Sequence, residues 1–194
     1  MAAPTIILAS SSAYRRNLLQ QLGLSFEVVE PSVDESPRPG ERPEALVKRL
    51  ALSKAKSIAR NHTAALVIGA DQVAVHGDTI VGKPRDHAHA RQQLRQASGK
   101  TVTLYTGIAV INADSGRVQT DVVPFRVVFR DLDDAQIESY LRTEQPYDCT
   151  GSVKAEGLGI ALLTRFEGED PNALIGLPLI RLVRMLENEG VQIL

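Results

Sequence analysis

The fold class is decided by residues 101–129, which read TVTLYTGIAVINADSGRVQTDVVPFRVVF. Two runs of alternating apolar and polar residues, Thr101–Asn112 and Val118–Phe129, have the pattern of β-strands. The segment between them includes Ala113-Asp114-Ser115-Gly116, whose small and polar residues favour a hairpin turn. This stretch therefore predicts a long antiparallel hairpin in the middle of the chain.

Strands and helices alternate on both sides of this hairpin. Apolar runs predict further strands at residues 6–9, 26–29, 65–70, 73–75 and 157–163. Apolar residues at helical spacing predict helices at 14–22, 44–60, 86–97 and 133–143, and Asp170-Pro171 is predicted to open the last helix. An antiparallel hairpin within this alternation predicts a mixed α/β fold with a long twisted sheet, formed by residues 1–194 as a single domain.

Composition and charge limit the classes of function. The net charge of −1 argues against a nucleic-acid surface built on bulk positive charge. The only cysteine is Cys149, which excludes an intramolecular disulfide. The first residues lack the basic and apolar regions of a signal peptide, and no window approaches the roughly 20 apolar residues of a membrane span. We therefore expect a cytoplasmic protein that binds neither a nucleic acid polymer nor a membrane.

The segment Ser10-Ser11-Ser12-Ala13-Tyr14-Arg15-Arg16 lies between the first predicted strand and the first predicted helix. The free N–H groups of a helix N-terminus, the serine hydroxyls and the two arginines together favour binding of an anion such as phosphate. The alternative is a capping serine followed by solvated arginines, which is a common arrangement. The segment alone leaves both interpretations open.

Two groups of carboxylates are candidates for a metal or catalytic site. Val33-Asp34-Glu35 lies in a proline-rich loop, where carboxylate oxygens suit Mg²⁺ or Mn²⁺, although an exposed acidic turn is the alternative. Asp71 follows the apolar strand 65–70, and a carboxylate there is costly unless it is paired, binds a metal or faces a cleft. Carboxylates at such strand ends often lie in the ligand crevice of α/β proteins. A structural salt bridge is the alternative for Asp71.

A further segment, residues 77–83, matches the first part of the phosphate-binding Walker loop. That loop requires Ser or Thr after the lysine and a helix that starts there. Here Pro84 follows Lys83, and Thr79-Ile80-Val81 is β-branched and favours a strand. The sequence therefore argues against a Walker loop and leaves Lys83 as a phosphate-binding cation in a rigid Gly-Lys-Pro turn.

The order of these motifs is more specific than any one of them. In sequence they are Leu8-Ala9-Ser10-Ser11-Ser12 with Arg15-Arg16, Val33-Asp34-Glu35, Lys54-Ala55, Asp71-Gln72-Val73, Gly82-Lys83-Pro84, Ser98-Gly99, Tyr105-Thr106-Gly107, Gly151-Ser152, Glu156-Gly157 and Gly176-Leu177-Pro178. This order covers essentially the whole chain and resembles the Maf family of nucleoside triphosphate pyrophosphatases.

The resemblance implies an α/β fold like that of the inosine triphosphate pyrophosphatases, with an elongated sheet, a cleft between two lobes and commonly a homodimer. It also implies a divalent metal cation, Mg²⁺ or Mn²⁺, and attack of water on the α-phosphorus of a nucleoside triphosphate with release of pyrophosphate. Asp71 would be the proton acceptor and a metal ligand, and Glu35 would bind the metal or the water. The resemblance further implies phosphate-binding roles for Ser10, Arg15, Arg16, Lys54 and Lys83.

One position departs from the family's pattern. The family usually has Glu-Lys-Ala on the second helix, whereas this chain has Ser53-Lys54-Ala55. If that glutamate contributes to the metal site, water or Ser53 must take its place here. The departure therefore bears on the expected metal affinity and leaves the expected reaction type unchanged.

Three positions bear on the choice of base. Gln72 and Glu156 stand where pyrimidine-preferring members of the family typically have threonine and glutamine, and Tyr14 precedes the two arginines. This combination resembles the branch that hydrolyses 7-methyl-GTP, in which the position of Tyr14 is often tryptophan. The resemblance therefore implies that Tyr14, Gln72 and Glu156 determine substrate specificity.

The chemistry of 7-methylguanine agrees with this assignment. Methylation at N7 makes the base cationic, and an aromatic face such as that of Tyr14 attracts a cation. A carboxylate such as Glu156 accepts hydrogen bonds from N1–H and the exocyclic amine together, whereas glutamine has donors of its own. Without the family context, Tyr14 packed against its helix and Glu156 as a surface acid would be the simpler interpretation.

Two other functions stay open at this point. One is a dTTP- or UTP-type pyrophosphatase of the same family, which would use the same mechanism on a different base. The other is a nucleotide-binding regulator of cell division that has no physiological turnover.

Overall fold

The computed structural model describes residues 4–194, and in that part of the chain it has seven strands and five α-helices. Strands β1 to β7 are, in chain order, Thr5–Ala9, Phe26–Val29, Ala65–His76, Thr79–Val81, Thr101–Asn112, Val118–Phe129 and Leu163–Gly168. Helices α1 to α5 are Ala13–Gln20, Pro43–Ala59, His87–Ala97, Asp134–Glu144 and Leu179–Glu187. Three short 3-10 helices are Thr150–Ser152, Leu158–Leu162 and Pro171–Leu174.

The strands form one open, mixed sheet in the order β2-β1-β3-β5-β6-β7, with β4 paired to β3. Strand β1 runs parallel to both β2 and β3, whereas β4 is antiparallel to β3 and β7 is antiparallel to β6. The predicted hairpin is confirmed, because β5 and β6 are neighbours in the sheet and residues 113–116 form the turn that joins them. The α/β class is therefore confirmed, while the single domain and the cleft remain predictions.

The prediction of a strand at 157–163 is wrong. Residues Leu158–Leu162 form a 3-10 helix, and β7 starts only at Leu163. The amides of Gly157 and Gly159 both donate to the carbonyl of Lys154, at 3.1 Å each, and an extended strand cannot close such a turn. The apolar residues that suggested a buried strand are partly on the surface, since Leu158 and Ile160 are exposed.

The predicted start of the last helix is also wrong. Asp170-Pro171 opens the short 3-10 helix Pro171–Leu174, and α5 begins at Leu179. Gly176 has a φ of +120°, which lies outside the helical region, and Pro178 then precedes α5. Asp170-Pro171 therefore does start a helical segment, but that segment is a single 3-10 turn and not the last α-helix.

The described chain forms two compact units. The first contains the residues up to Asp71 together with Thr106–Val123 and Asp170–Leu194, and the second contains Gln72–Tyr105 and Pro124–Glu169. Among residues 4–194, no helix has both the length and the apolar character that crossing a lipid bilayer requires.

Alternation along the strands of the first unit divides its core between the two faces of the sheet. One face packs against α1 and α5 and includes Leu66, Ile68 and Ala70 of β3. The other face packs against α2 and includes Ala65 and Val67 of the same strand. Because successive side chains of a strand point to opposite faces, the odd-numbered residues of β3 face α2.

A buried aspartate joins the last two helical segments of the first unit. Asp170 accepts a hydrogen bond from the Asn172 amide at 3.1 Å, and its second oxygen accepts from the amides of Ile180 at 2.8 Å and Arg181 at 3.4 Å. The N-cap residue of α5 is Pro178, which offers no side-chain acceptor. Asp170 therefore caps both its own 3-10 helix and the N-terminus of α5.

We expect Asp170→Ala to lower the free energy of unfolding by about 2–3 kcal/mol, because it leaves three backbone amides at two helix N-termini without their shared acceptor. Urea denaturation followed by circular dichroism measures this loss. The control is Asp114→Ala, which removes an exposed turn carboxylate and should change stability by less than about 0.5 kcal/mol. Equal effects of the two substitutions would contradict the capping role.

Candidate active site

The site is centred on Asp71, a buried carboxylate inside strand β3. The sequence placed Asp71 after the end of a strand, but β3 continues without a break from Ala65 to His76. Asp71 is an odd-numbered residue of β3, like Ala65 and Val67, and its side chain therefore points to the same face of the sheet, toward α2. Only 6% of the residue is exposed, so an unpaired charge here would be strongly destabilising.

Helix α2 packs unusually close to the sheet beside Asp71. A Cβ atom added to Gly69 would lie 2.8 Å from the amide nitrogen of Ala55 and closer still to the carbonyl oxygen of Ala51. Glycine at position 69 thus allows the helix backbone to approach the strand directly. This approach brings the next side chain on that face of the helix, Lys54, level with Asp71.

Lys54 bridges two carboxylates. Its Nζ lies 2.6 Å from Oδ1 of Asp71 and 2.9 Å from Oε1 of Glu35. The Lys54 and Asp71 side chains are buried, whereas the Glu35 side chain is 58% exposed. The two carboxylates are therefore held close together around one ammonium group, with Glu35 on the solvent side.

The loop that carries Glu35 is fastened to α2 by a second ion pair. Arg49 contacts Glu41 through both Nε, at 2.6 Å, and Nη2, at 2.7 Å, and Nη2 also donates to the carbonyl of Ser36 at 3.1 Å. Hydrogen bonds from Arg49 and, to a smaller extent, from the amide of Arg38 lower the pKa of Glu41 to about 2. Because Arg49 and Lys54 lie on the same helix, α2 positions both the loop and the bridging ammonium.

The N-terminus of α1 combines the two interpretations that its sequence allowed. Ser12 is the N-cap and accepts from the Arg15 amide at 3.4 Å, and Ser10 is buried and accepts from the Ser12 amide at 3.1 Å. Arg16 is exposed, as a solvated arginine would be. Arg15 is instead half-buried, and its Nε donates to the carbonyl of Gly176 at 2.8 Å.

Electrostatics link Arg15 to the carboxylates. Burial raises the pKa of Asp71, while the charges of Lys54 and Arg15 act in the opposite direction. Burial likewise lowers the pKa of Arg15, against the effect of the charges on Asp71 and Glu35. The first unit thus gathers Arg15, Lys54, Glu35 and Asp71 into one group of mutually interacting charges.

The carboxylates of this group fit a divalent cation. Oxygens from Glu35 and Asp71 are within hydrogen-bonding distance of the same ammonium, which shows that their positions suit a shared positive charge. Within residues 4–194 there is no cluster of three or more His, Cys, Asp or Glu side chains arranged for a metal. Mg²⁺ is usually bound by one or two carboxylates, and its remaining coordination positions are filled by water and phosphate oxygens.

The other predicted site residues are distributed over the two units. Tyr14 lies half-buried on α1 of the first unit, and Gln72, Lys83 and Glu156 belong to the second unit. Gln72 is half-buried in β3, and both Lys83 and Glu156 are exposed.

The turn that contains Lys83 is held by hydrogen bonds to Gly82, the residue before the lysine. The Gly82 carbonyl accepts from the amide of Gly151 at 3.1 Å and from Nε2 of Gln93 at 3.3 Å, and the buried Ser152 hydroxyl bonds to the same glutamine. Residues 79–81 form strand β4, and the next helix starts only at His87. Both features confirm that this segment is not a Walker loop.

Sequence reasoning missed Arg49 and Glu41. They are eight positions apart, one on α2 and the other in the preceding loop, so neither strand nor helix periodicity relates them. The signal for Lys54 was present, because it lies four residues after Leu50 and three after Ala51, on the apolar face of its helix.

The comparisons with known proteins agree with the order of the motifs. The chain matches the Maf family, described as Maf-like protein, over residues 5–189. It is 55% identical to a 7-methyl-GTP pyrophosphatase of Nitrosococcus oceani over 193 residues. This alignment covers 100% of this chain and 97% of the relative. A protein of the same name from Pseudomonas fluorescens strain Pf-5 is 57% identical over 187 residues, or 96% of this chain and 97% of the relative. A third protein of this name, from Pseudomonas aeruginosa, is 55% identical over 190 residues, which is 98% of this chain and 99% of the relative.

Proposed function

The chain belongs to the Maf family, and on that premise we propose that it is a nucleoside triphosphate pyrophosphatase that hydrolyses 7-methyl-GTP to 7-methyl-GMP and pyrophosphate. The observation that carries the chemistry is the ion-paired group formed by the buried Asp71 and Lys54 with the exposed Glu35. The name shared by relatives above 50% identity supports the choice of substrate.

In the proposed reaction, water attacks the α-phosphorus and the bond to the bridging oxygen of pyrophosphate breaks. Asp71 accepts the proton that the water loses, and pyrophosphate leaves with the electron pair of the broken bond. Lys54 engages Oδ1 of Asp71, so Oδ2 is the oxygen we assign to the proton. A raised pKa suits Asp71 to this role, because a general base works best when its pKa lies nearer the working pH.

Charge neutralisation supplies the rest of the proposed mechanism. The triphosphate is strongly anionic, and cations positioned around it stabilise the charge that develops in the transition state. Arg15 is held for this task by the carbonyl of Gly176, and Ser10 and Arg16 add a hydroxyl and a second guanidinium at the same helix N-terminus. A divalent cation held by Glu35 and Asp71 would supply further charge neutralisation and polarise the phosphoryl group. Lys83 is proposed to bind phosphate as well.

Recognition of the base is assigned to three residues: Glu156 as the hydrogen-bond acceptor, Tyr14 as the aromatic side chain that attracts a cationic base, and Gln72 as a further specificity residue. The Glu156 carboxylate would accept from N1–H and the exocyclic amine of guanine, a pair of charge-assisted hydrogen bonds. UTP and dTTP lack this pair of adjacent donors. The cytoplasmic location and the homodimer belong to the same proposal, and light scattering of the purified protein tests the dimer.

The test of the base assignment is a nucleotide panel with the Glu156→Gln variant. We expect wild type to turn over 7-methyl-GTP faster than UTP or dTTP in the presence of Mg²⁺ or Mn²⁺. In Glu156→Gln, kcat/KM for 7-methyl-GTP should fall about 10- to 100-fold, since a charge-assisted hydrogen bond contributes about 1.5–3 kcal/mol. In the same variant, kcat/KM for UTP should stay within about twofold of the wild-type value.

The control variant is Glu169→Gln, which makes the same change at another exposed position of the second unit and should leave all rates unchanged. Faster turnover of UTP or dTTP than of 7-methyl-GTP by wild type would refute the base assignment. Equal losses for every nucleotide in Glu156→Gln would mean that this residue does not read the base.

A further inference from the structure

We infer that Tyr140 and Glu144, on helix α4, are positioning residues for Glu156 and thereby set the selectivity for guanine. The inference rests on the proposed function, because it assigns these residues to the recognition of the base. Its basis is the set of contacts that hold residues 154–158, called here the Glu156 turn. Every one of these contacts lies within the second unit.

Lys154 is the fixed point of the Glu156 turn. Its carbonyl accepts hydrogen bonds from the amides of both Gly157 and Gly159, so the backbone closes into a tight turn around it. Glu156 lies exposed within that closed turn, and among residues 4–194 it makes no hydrogen bond or ion pair of its own. The turn thus presents the carboxylate of Glu156 from a backbone that is hydrogen-bonded on both sides.

Tyr140 anchors the start of the turn. Its hydroxyl accepts a hydrogen bond from the Lys154 amide at 3.0 Å, and the residue is only 3% exposed. Burial raises the pKa of the Tyr140 phenol well above its ordinary value, so the group stays neutral and protonated. A buried tyrosine hydroxyl usually has a hydrogen-bond partner, and here that partner is the backbone at the start of the turn.

Glu144 anchors the end of the turn, one helical turn further along α4. Its carboxylate contacts Nζ of Lys154 at 2.9 Å and accepts from the Leu158 amide at 2.7 Å. A Cβ atom added to Gly157 would lie 2.7 Å from Oε2 of Glu144, so the carboxylate also packs directly against the backbone of the turn. Glu144 therefore contacts residues on both sides of Glu156.

These contacts have a consequence for recognition. Accepting two hydrogen bonds from one edge of a base requires a carboxylate with a defined position and orientation, and such preorganisation reduces the entropy lost on binding. Tyr140 and Glu144 hold the residues before and after Glu156, which limits the positions of its carboxylate. Neither residue was singled out by the sequence, because their partners lie 10 or 14 positions away along the chain.

The experiment uses Tyr140→Phe, which removes only the accepting hydroxyl, and Glu144→Gln, which breaks the ion pair but keeps an acceptor for the Leu158 amide. In each variant, KM for 7-methyl-GTP should rise about five- to tenfold, with kcat within twofold of wild type. Both parameters for UTP should stay within twofold. Glu138→Gln is the control, because Glu138 lies on the same helix but contacts Arg142 and His87 and not the Glu156 turn.

A double-mutant cycle separates positioning from a general structural role. In a Glu156→Gln background, Tyr140→Phe and Glu144→Gln should cause no further loss of preference for 7-methyl-GTP over UTP, since the group they position is gone. Equal loss of kcat for both nucleotides in the single variants, or a full additional loss in the double variants, would overturn the inference. If wild type itself fails to prefer 7-methyl-GTP, the proposed base assignment fails as well, and that result is read from the wild type alone.

Discussion

Replacing Asp71 with asparagine is expected to lower kcat for 7-methyl-GTP by about three orders of magnitude, the contribution typical of a general base. Asparagine has nearly the same shape and keeps an oxygen that accepts from Lys54, but it cannot take a proton from the attacking water. Release of pyrophosphate under saturating nucleotide and metal measures the loss. KM should change much less than kcat.

The same substitution should leave the fold almost unaltered. Burial raises the pKa of Asp71, so the ionised carboxylate costs the folded state free energy at neutral pH, and the neutral amide removes that cost. Lys54 retains its ion pair with Glu35 at 2.9 Å. We therefore expect the melting temperature to change by only a few degrees, which separates loss of chemistry from loss of structure.

Asp78→Asn is the matched control, because Asp78 lies exposed in the turn after β3 and the same chemical change there should leave turnover intact. A kcat for Asp71→Asn within tenfold of wild type would mean that another group accepts the proton. Cells that keep the protein's biological function with the Asp71→Asn variant would favour a nucleotide-binding regulator over an enzyme.

The local pattern of the sequence predicted several features of the first unit. The apolar run before Asp71 and the rarity of charges in such runs identified a special carboxylate, and parity along β3 explains which helix it faces. The position of Lys54 on the apolar face of α2 was readable from its spacing to Leu50 and Ala51. What the local pattern did not contain was the pairing of the two, which the family resemblance supplied only as a shared site.

Other parts of the site depend on contacts that no periodicity encodes. The loop of Glu35 is ordered by Arg49 and Glu41, whose relation follows from the path of the chain. Residues 157–163 were predicted as a strand because most of them are apolar, yet the amides of Gly157 and Gly159 share the carbonyl of Lys154, and residues 158–162 form a 3-10 helix instead. In both places specific hydrogen bonds, and not the periodicity of apolar residues, decided the structure.

Gly69→Ala is the stability change with the largest expected effect, a loss of about 3 kcal/mol or more in the free energy of unfolding. The added methyl group would collide with backbone atoms of Ala51 and Ala55, and these cannot swing aside as the end of a long side chain could. For a chain of 194 residues this corresponds to a fall of about 10 °C in melting temperature. Thermal denaturation followed by circular dichroism measures it.

The collision at Gly69 should also reach the active site, because the only relief is for α2 to move away from β3. Such a movement would lengthen the 2.6 Å contact between Lys54 and Asp71, so the folded fraction at low temperature should show a reduced kcat. Gly107→Ala makes a comparable collision with the backbone of Val47 and Lys48 on the same helix and should melt similarly early. Gly82→Ala, where an added methyl group would meet no atom within 4 Å, is the control. If Gly69→Ala melts within about 2 °C of this control, the close approach of helix and strand does not hold Lys54 against Asp71.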